Sequence, residues 1–338
     1  MASVECGVGP YLRSIMTDTF LPEITVEHPG LYEDEWFDLR GNGDSYLLAR
    51  WFPADEQGTP TQPKAVIVFV HGFAEHMGRY RNIFKLFVDR GYEINGFDQR
   101  GFGRTSYESE NRSKMHGRTT WADQLSDVER MIRLARKRAD ARWGKDKVPL
   151  FLMGHSMGGG ISLAFFTREA GSGPSEETMA MVSGVMLSSP WLDIHFPIPT
   201  TYAVPVLECV LSWLPELKVQ LGPPTNNLCR DPLVCESARM DPLCSSYVYA
   251  RCLLDPLRGG PRMVASEFRN WPEHLPLLVC HGTGDKVTQW ACSDRLCKNL
   301  TEIGRQATLR TFDGFYHEGL HEPGEDKIRY ANAYIECV

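Results

Sequence analysis

No stretch of the sequence reaches about 18 consecutive apolar residues, the least that a membrane-crossing helix needs, so no membrane span is expected. Basic charge is not in excess either: 36 Lys plus Arg stand against 43 Asp plus Glu, a formal net charge of -7, which argues against nucleic acid as a partner. The one dense basic run, "RLARKRADARWGK" at 133–145, carries Leu134 and Ala135 at helical spacing and reads as a solvated helix face. The opening residues, "MASVECGVGPYLRSIMTDTF", lack the basic region followed by an apolar run that marks a secretory signal, so the expected location is cytoplasmic and not secreted. Ten cysteines are present, but none stand as C-x-x-C, and the positions 229, 235, 244, 252 and 292, 297 do not repeat like paired metal ligands. In a cytosolic chain they read as free thiols serving as small apolar residues. The group from Cys229 to Cys252 keeps a second reading, a bridge or an oxidisable thiol. There is no repeat of about 20 to 50 residues and no low-complexity segment.

What is present is a rhythm. Short β-rich runs, "SYLLARWFP" (45–53), "AVIVFV" (65–70), "YEINGFD" (92–98) and "PLFLMG" (149–154), alternate with amphipathic stretches such as "RNIFKLFVDRG" and "WADQLSDVERMIRLARKRA". Thr120 with Asp123 offers a capping box at the start of the second of these. "SGVMLSSP" (183–190), "LPLLVCHG" (275–282) and "ATLRTFDG" (307–314) continue the series, and a closing helix begins near 325. The pattern predicts an α/β fold, a mostly parallel central sheet with helices on both faces. Between Pro190 and about Arg269 the rhythm fails, and prolines, cysteines and aromatics crowd together. The expected division is a core in two parts, 1–190 and 270–338, with 191–269 inserted as a cap over the carboxyl ends of the strands, where open α/β sheets bind ligands.

The chemistry begins at "PLFLMGHSMGGGISLAFF". Gly154-His155-Ser156-Met157-Gly158 is G-x-S-x-G between an apolar strand and a helix, the context in which the serine is a nucleophile. The turn is sharp enough to strain the serine and project its hydroxyl, and flanking side chains would collide with strand and helix. A hydroxyl needs a base, and the base needs an acid to fix its tautomer. In this topology the chain order is Ser, then Asp or Glu, then His, each in a loop after a later strand. Asp285 follows "LPLLVCHG" and His317 follows "ATLRTFDG"; Asp255 and Asp294 are the weaker alternatives for the acid. One oxyanion donor is then the N–H of Met157, and the other comes from the loop "HGFAEHMGRY", where Gly72 lets the backbone approach and Phe73 offers its N–H. His71 reads as a buried histidine that pins this loop.

"HEGLHEPG" (317–324) also fits H-E-x-x-H, the zinc-protease signature. That signature must be helical so that both imidazoles share a face, but Gly314, Gly319 and Pro323-Gly324 are turn residues. The longer metzincin pattern would need a third histidine where the sequence has Lys327. No metal is therefore expected; His317 is the candidate base and His321 an ordinary loop histidine.

Taken in order, "HGFAEHMGRY", "FDQRGFGRTS", "GHSMGGG", "SSPWL" and "HGTGDKVT" resemble the monoacylglycerol lipases of the α/β-hydrolase superfamily, the fungal members above all, within the wider serine-aminopeptidase-like group. The resemblance runs from about residue 35 to the last helix and skips most of the insertion. It implies an α/β-hydrolase fold and the cleavage of monoacylglycerol to glycerol and fatty acid by Ser156, Asp285 and His317, with no cofactor. It also implies that Glu75 and Arg79 lie near the polar, glycerol end of the site. Carboxylesterase and lysophospholipase or acyltransferase activities on the same fold stay open. A non-catalytic binding protein would have lost a triad member. A proline aminopeptidase would need an acidic anchor for the substrate amine, which this cap does not offer.

In "VPVLECVLSWLPEL", Val206, Leu207, Val210, Leu211, Leu214 and Leu217 follow helical spacing, with Glu208, Ser212 and Glu216 opposite. Such a stripe suits either a plain core or a lid that touches lipid aggregates, membranes or lipid droplets and admits an acyl chain. Trp191, Phe196 and Tyr202, just before it, suit both equally.

Overall fold

A computed structural model of the chain describes residues 31–108, 117–168, 173–195, 200–214, 216–220, 225–244 and 247–337. Phe196 and the amino-terminal stretch lie outside the described residues.

The core is an eight-stranded sheet whose spatial order is β1-β2-β4-β3-β5-β6-β9-β10. The strands are β1 (Leu31–Asp38), β2 (Ser45–Phe52), β3 (Ala65–Val70), β4 (Tyr92–Phe97), β5 (Leu150–His155), β6 (Gly184–Ser188), β9 (Leu277–Gly282) and β10 (Ala307–Phe312). Only β2 runs against its neighbours, β1 and β4; from β4 to β10 every pairing is parallel. All the strands expected from the sequence are there. β1 was not expected: "LYEDEWFD" is an edge strand that leaves most of its side chains exposed, so it lacks the apolar run that marks its neighbours.

β3 shows why the sheet is covered on both sides. Its six residues are all buried, and successive side chains point to opposite faces. Val66, Val68 and Val70 enter one hydrophobic cluster, whereas Ala65, Ile67 and Phe69 enter the other. Helix α1 (Arg81–Asp89) and the closing helix α8 (Glu325–Ile335) pack on the second face, through Phe84, Phe87, Tyr330 and Tyr334. Helices α2 (Trp121–Trp143), α3 (Met157–Thr167) and α7 (Trp290–Glu302) bury Trp121, Ile161 and Leu296 on the first. Thr120 caps α2 by accepting from the Asp123 N–H, as its spacing implied.

Between β6 and β9 the chain forms α4 (Thr200–Trp213), β7 (Lys218–Gln220), α5 (Pro232–Met240), β8 (Tyr247–Tyr249) and α6 (Leu254–Ala265); β7 and β8 pair with each other, apart from the main sheet. Its later part is anchored in the core. Met263 and Val264 of α6 join the cluster beneath the sheet, and a Cβ at Gly259 would strike the Trp121 ring at 2.1 Å, so α6 and α2 touch only because Gly259 has none.

Strands β3 and β5 are neighbours, but β3 connects onward to β4 on one side while β5 connects to β6 on the other. The loops after β3 and β5 therefore part above a crevice at the carboxyl end of the sheet, the place where open α/β sheets bind ligands.

Candidate active site

β5 ends at His155 and α3 begins at Met157, so Ser156 alone turns the chain between them. Its φ of 52° and ψ of -117° lie where non-glycine residues are rare, a strain of about 1–3 kcal/mol. Hydrogen bonds hold the turn: the Ser156 N–H donates to the Ser188 carbonyl (2.9 Å), and its own carbonyl accepts from Gly160 (3.0 Å) and Trp191 (2.8 Å). Both flanking glycines are obligatory. A Cβ at Gly154 would lie 2.3 Å from the Gly158 carbonyl oxygen, and one at Gly158 would lie 2.1 Å from that of Val70.

Asp285 and His317 come to this turn from the loops after β9 and β10. His317 Nε2 lies 2.9 Å from Ser156 Oγ, and its Nδ1 lies 2.8 Å from Asp285 Oδ2. With Nδ1–H donating to the Asp285 carboxylate, Nε2 is left as an acceptor for the serine hydroxyl. All three side chains are buried. Asp285 Oδ1 accepts from the Val287 (2.7 Å) and Thr288 (2.9 Å) N–H groups, and Oδ2 also accepts from Thr288 Oγ1 (2.8 Å). Burial opposes charge on both partners. For Asp285 the cost is outweighed by His317 and by the hydrogen bond from His281, which hold its carboxyl well below the usual range. For His317 it is outweighed by the charge and hydrogen bond of Asp285, so its pKa ends above the ordinary histidine value.

The oxyanion donors expected from the sequence sit beside this group. Met157 opens α3, so its N–H belongs to the first turn, where no carbonyl of the helix can accept it. Phe73 follows Gly72, where a Cβ would come within 3.1 Å of Ser156 Cβ, so the turn after β3 runs against the serine. The Gly72 N–H is held by Glu75 Oε1. His71 is buried and pins the loop, as expected: it contacts the Gly72 carbonyl at 2.8 Å and accepts from the Gln99 N–H at 2.9 Å.

Glu75 and Arg79 belong to a buried ionic group. Arg79 Nη1 donates to Glu75 Oε2 and to Glu318 Oε1, and Nη2 donates to Glu318 Oε2, each at 2.7 Å. The H-E-G-L-H residues thus face separate partners: His317 faces Ser156 and Asp285, Glu318 faces Arg79, and His321 Nε2 donates to the Arg79 carbonyl at 3.0 Å. Residues Gly319–His321 form a single 3₁₀ turn and not the α-helix that a zinc signature requires. Among the described residues, His76, Asp241 and Cys244 lie close enough to share a metal ion. However, His76 Nδ1 accepts from the Gly78 N–H (3.1 Å) and Nε2 faces Asp241 (2.8 Å), so a metal on Nε2 would set an Nδ1 proton against the Gly78 proton.

The weaker acid alternatives lie elsewhere. Asp255 accepts from the Trp121 N–H at the start of α2, and Asp294 pairs with Lys298 on the surface. Three residues of the site were not singled out from the sequence. His281 Nε2 lies 3.0 Å from Asp285 Oδ2 while its Nδ1 faces Ser293 Oγ at 2.8 Å. His155, whose ring lies 4.8 Å from that of His317, is pushed down to about 4 by burial and by His317, and so stays neutral. Glu318 was seen only as part of the zinc pattern. His281, four residues before Asp285 at the end of a buried strand, carried the one usable signal.

A serine at a strained turn, then a carboxylate and then a histidine in chain order, on a mostly parallel sheet, define the α/β-hydrolase class. The family described as serine aminopeptidase, S33 matches residues 61–324, and the chain belongs to it. Monoacylglycerol lipase of Mycolicibacterium smegmatis is 29% identical over 277 residues, covering 79% of this chain and 86% of that protein. Phospholipase YtpA of Bacillus subtilis is 27% identical over 279 residues, 81% of this chain and 96% of that one. A crystal structure of a soluble variant of monoglyceride lipase from Saccharomyces cerevisiae shares the fold with a TM-score of 0.76 at 21% identity, covering 94% of this chain and 98% of that one.

Proposed function

We propose that the protein hydrolyses monoacylglycerols to glycerol and free fatty acid through an acyl-enzyme at Ser156. The observation that carries this reading is the continuous chain from Ser156 Oγ through His317 to Asp285, with contacts of 2.9 and 2.8 Å. Ser156 Oγ attacks the ester carbonyl as His317 Nε2 takes its proton, and the Phe73 and Met157 N–H groups hold the oxyanion. Collapse breaks the bond to the glycerol oxygen, which leaves with the proton from His317. Water, activated by the same histidine, then attacks the acyl-enzyme and releases the fatty acid. No cofactor is required. The choice of monoacylglycerol follows the names of the relatives; the phospholipase among them makes lysophospholipid the competing substrate.

The segment 191–269 is, in this reading, the cap, and α4 its lipid-facing element. Leu211 and Val204 are buried, but Tyr202, Val206, Trp213 and Leu214 are exposed, Trp213 at 82%. Of the two readings of the stripe, a lid that meets a lipid surface accounts for this exposure and a plain core does not. Among the described residues no helix is long and apolar enough to cross a membrane, so such contact would be peripheral.

Fatty-acid release from monoolein, diolein, triolein, lysophosphatidylcholine and a short p-nitrophenyl ester, with Ser156→Ala as control and a zinc chelator in parallel, tests the proposal. Monoolein turnover well above the others, lost in the variant and indifferent to chelator, is expected. Activity confined to the short ester would refute the substrate, and chelator-sensitive activity surviving without Ser156 would refute the mechanism.

A further inference from the structure

Arg79 joins two loops that lie 239 residues apart in sequence. On one side its guanidinium holds Glu75, whose Oε1 accepts from the Gly72 N–H and from Tyr80 Oη (2.8 Å), so Glu75 orders the turn that carries Phe73. On the other side it grips both oxygens of Glu318, the residue after His317. The side chains of Arg79, Glu75 and Glu318 are only 10%, 5% and 3% exposed. Packing alone does not explain such a group. Taking three charges out of water is costly, and apolar residues of similar volume usually serve stability as well or better. A planar guanidinium can fork onto one carboxylate and share an N–H with a second, which fixes direction as well as distance; a lysine cannot.

We propose that Arg79, with Glu75 and Glu318, is a positioning device that holds the oxyanion turn after β3 and the base-bearing loop after β10 in the register that catalysis needs. This inference rests on the ester-hydrolase reading of Ser156. It assigns Arg79 a role that acts through Phe73 and His317 on any ester, whereas a contact to glycerol acts only on substrates that carry glycerol. The electrostatics agree with the geometry. Burial opposes ionisation of Glu318, and Arg79 outweighs it, so the carboxylate stays charged beside His317. Asp285 faces His317 from the loop after β9 and His155 from the end of β5, with His281 behind Asp285; Glu75 and Arg79 belong to the segment after β3, and Glu318 and His321 to the loop of His317 itself.

The test compares Arg79→Lys and Glu318→Gln with wild type on monoolein and on a short p-nitrophenyl ester, which has no glycerol, with thermal unfolding measured alongside. Misplacing reacting groups by about 1 Å costs on the order of 100-fold in rate. Arg79→Lys is therefore expected to lose about 10- to 100-fold in kcat on both esters by similar factors, with KM little changed. Glu318→Gln keeps the shape of the side chain and is expected to fold; it should lower kcat on both esters and move the acid limb of kcat/KM to lower pH, because one negative charge near the imidazolium is gone. A loss by Arg79→Lys confined to monoolein and carried by KM would make Arg79 a glycerol contact and overturn the proposal. Wild-type kcat in Glu318→Gln with an unmoved acid limb would overturn it too, even if Arg79→Lys proved too unstable to assay. If wild type turned over neither ester, the hydrolase reading itself would fail, a separate outcome.

Discussion

His155, His317 and His321 are all buried within one region of the molecule, and only their partners separate their work. His317 has an acid on one nitrogen and a hydroxyl on the other. His155 has Ser188 Oγ at 3.2 Å, and His321 has a backbone carbonyl. Replacing His317 with alanine should remove about 10⁴-fold or more of turnover, because attack loses its base. Replacing His321 should leave most turnover intact at a stability cost of about 1–3 kcal/mol, the penalty of stranding the Arg79 carbonyl. The reverse pattern in steady-state assays would undo the assignment. Because Asp285 raises the pKa of His317, and the base must be neutral, the acid limb of kcat/KM should lie above the ordinary histidine value of about 6.5. Asp285→Asn should lower that limb and cost about 10⁴-fold in kcat. The candidate triad was legible in the sequence because a motif and a chain order name it. Glu318 was not, since its role exists only when loops distant in sequence meet, whereas His281 stands only four residues before Asp285 and was within reach of a sequence reading.

At the scale of elements, the apolar stripe of α4 was legible from its period, but periodicity says which residues share a face and not what covers that face. The structure leaves Val206 and Trp213 at 64% and 82% exposed. If α4 meets lipid, Val206→Ser with Trp213→Ser should weaken binding to phosphatidylcholine vesicles by at least about tenfold, since each large apolar side chain buried contributes about 1.5–3 kcal/mol. Hydrolysis of aggregated monoolein should fall with it, and hydrolysis of a short soluble ester should not. Equal losses on both substrates would place the face in the catalytic apparatus. β1 illustrates the opposite limit: an edge strand built from "LYEDEWFD" is held by its pairing with β2, and nothing in its own pattern announces it.

At the scale of the whole molecule, the sheet was legible because buried parallel strands read as apolar runs, while the site brings a cost that the runs do not reveal: an unusual density of buried titratable groups. Asp285, Glu75 and Glu318 keep depressed pKa values although burial opposes their charge, through His317 for the first and Arg79 for the others. Their stabilisation is present above the ordinary carboxylate pKa of about 4 and is lost as pH falls toward the folded values. His71, His155 and His321 are lowered by burial, so unfolding lets them take up protons, and stability should already decline as pH falls below about 6.5. His317 and His76, the latter raised to about 10 against its burial by the hydrogen bonds of Asp241 and Cys244, have the opposite sign: a raised pKa adds stability at acid pH that is lost as pH rises through the folded value. Of these groups, three histidines and three carboxylates outnumber the two raised histidines and predict a Tm that falls from pH 7 to pH 4 and steepens below about 5. Calorimetry across that range checks the prediction, and a flat Tm would mean that water reaches these groups in the folded protein. Glu75→Gln with Glu318→Gln should make the lower part of the decline shallower, because two of the groups that must take up protons have been removed.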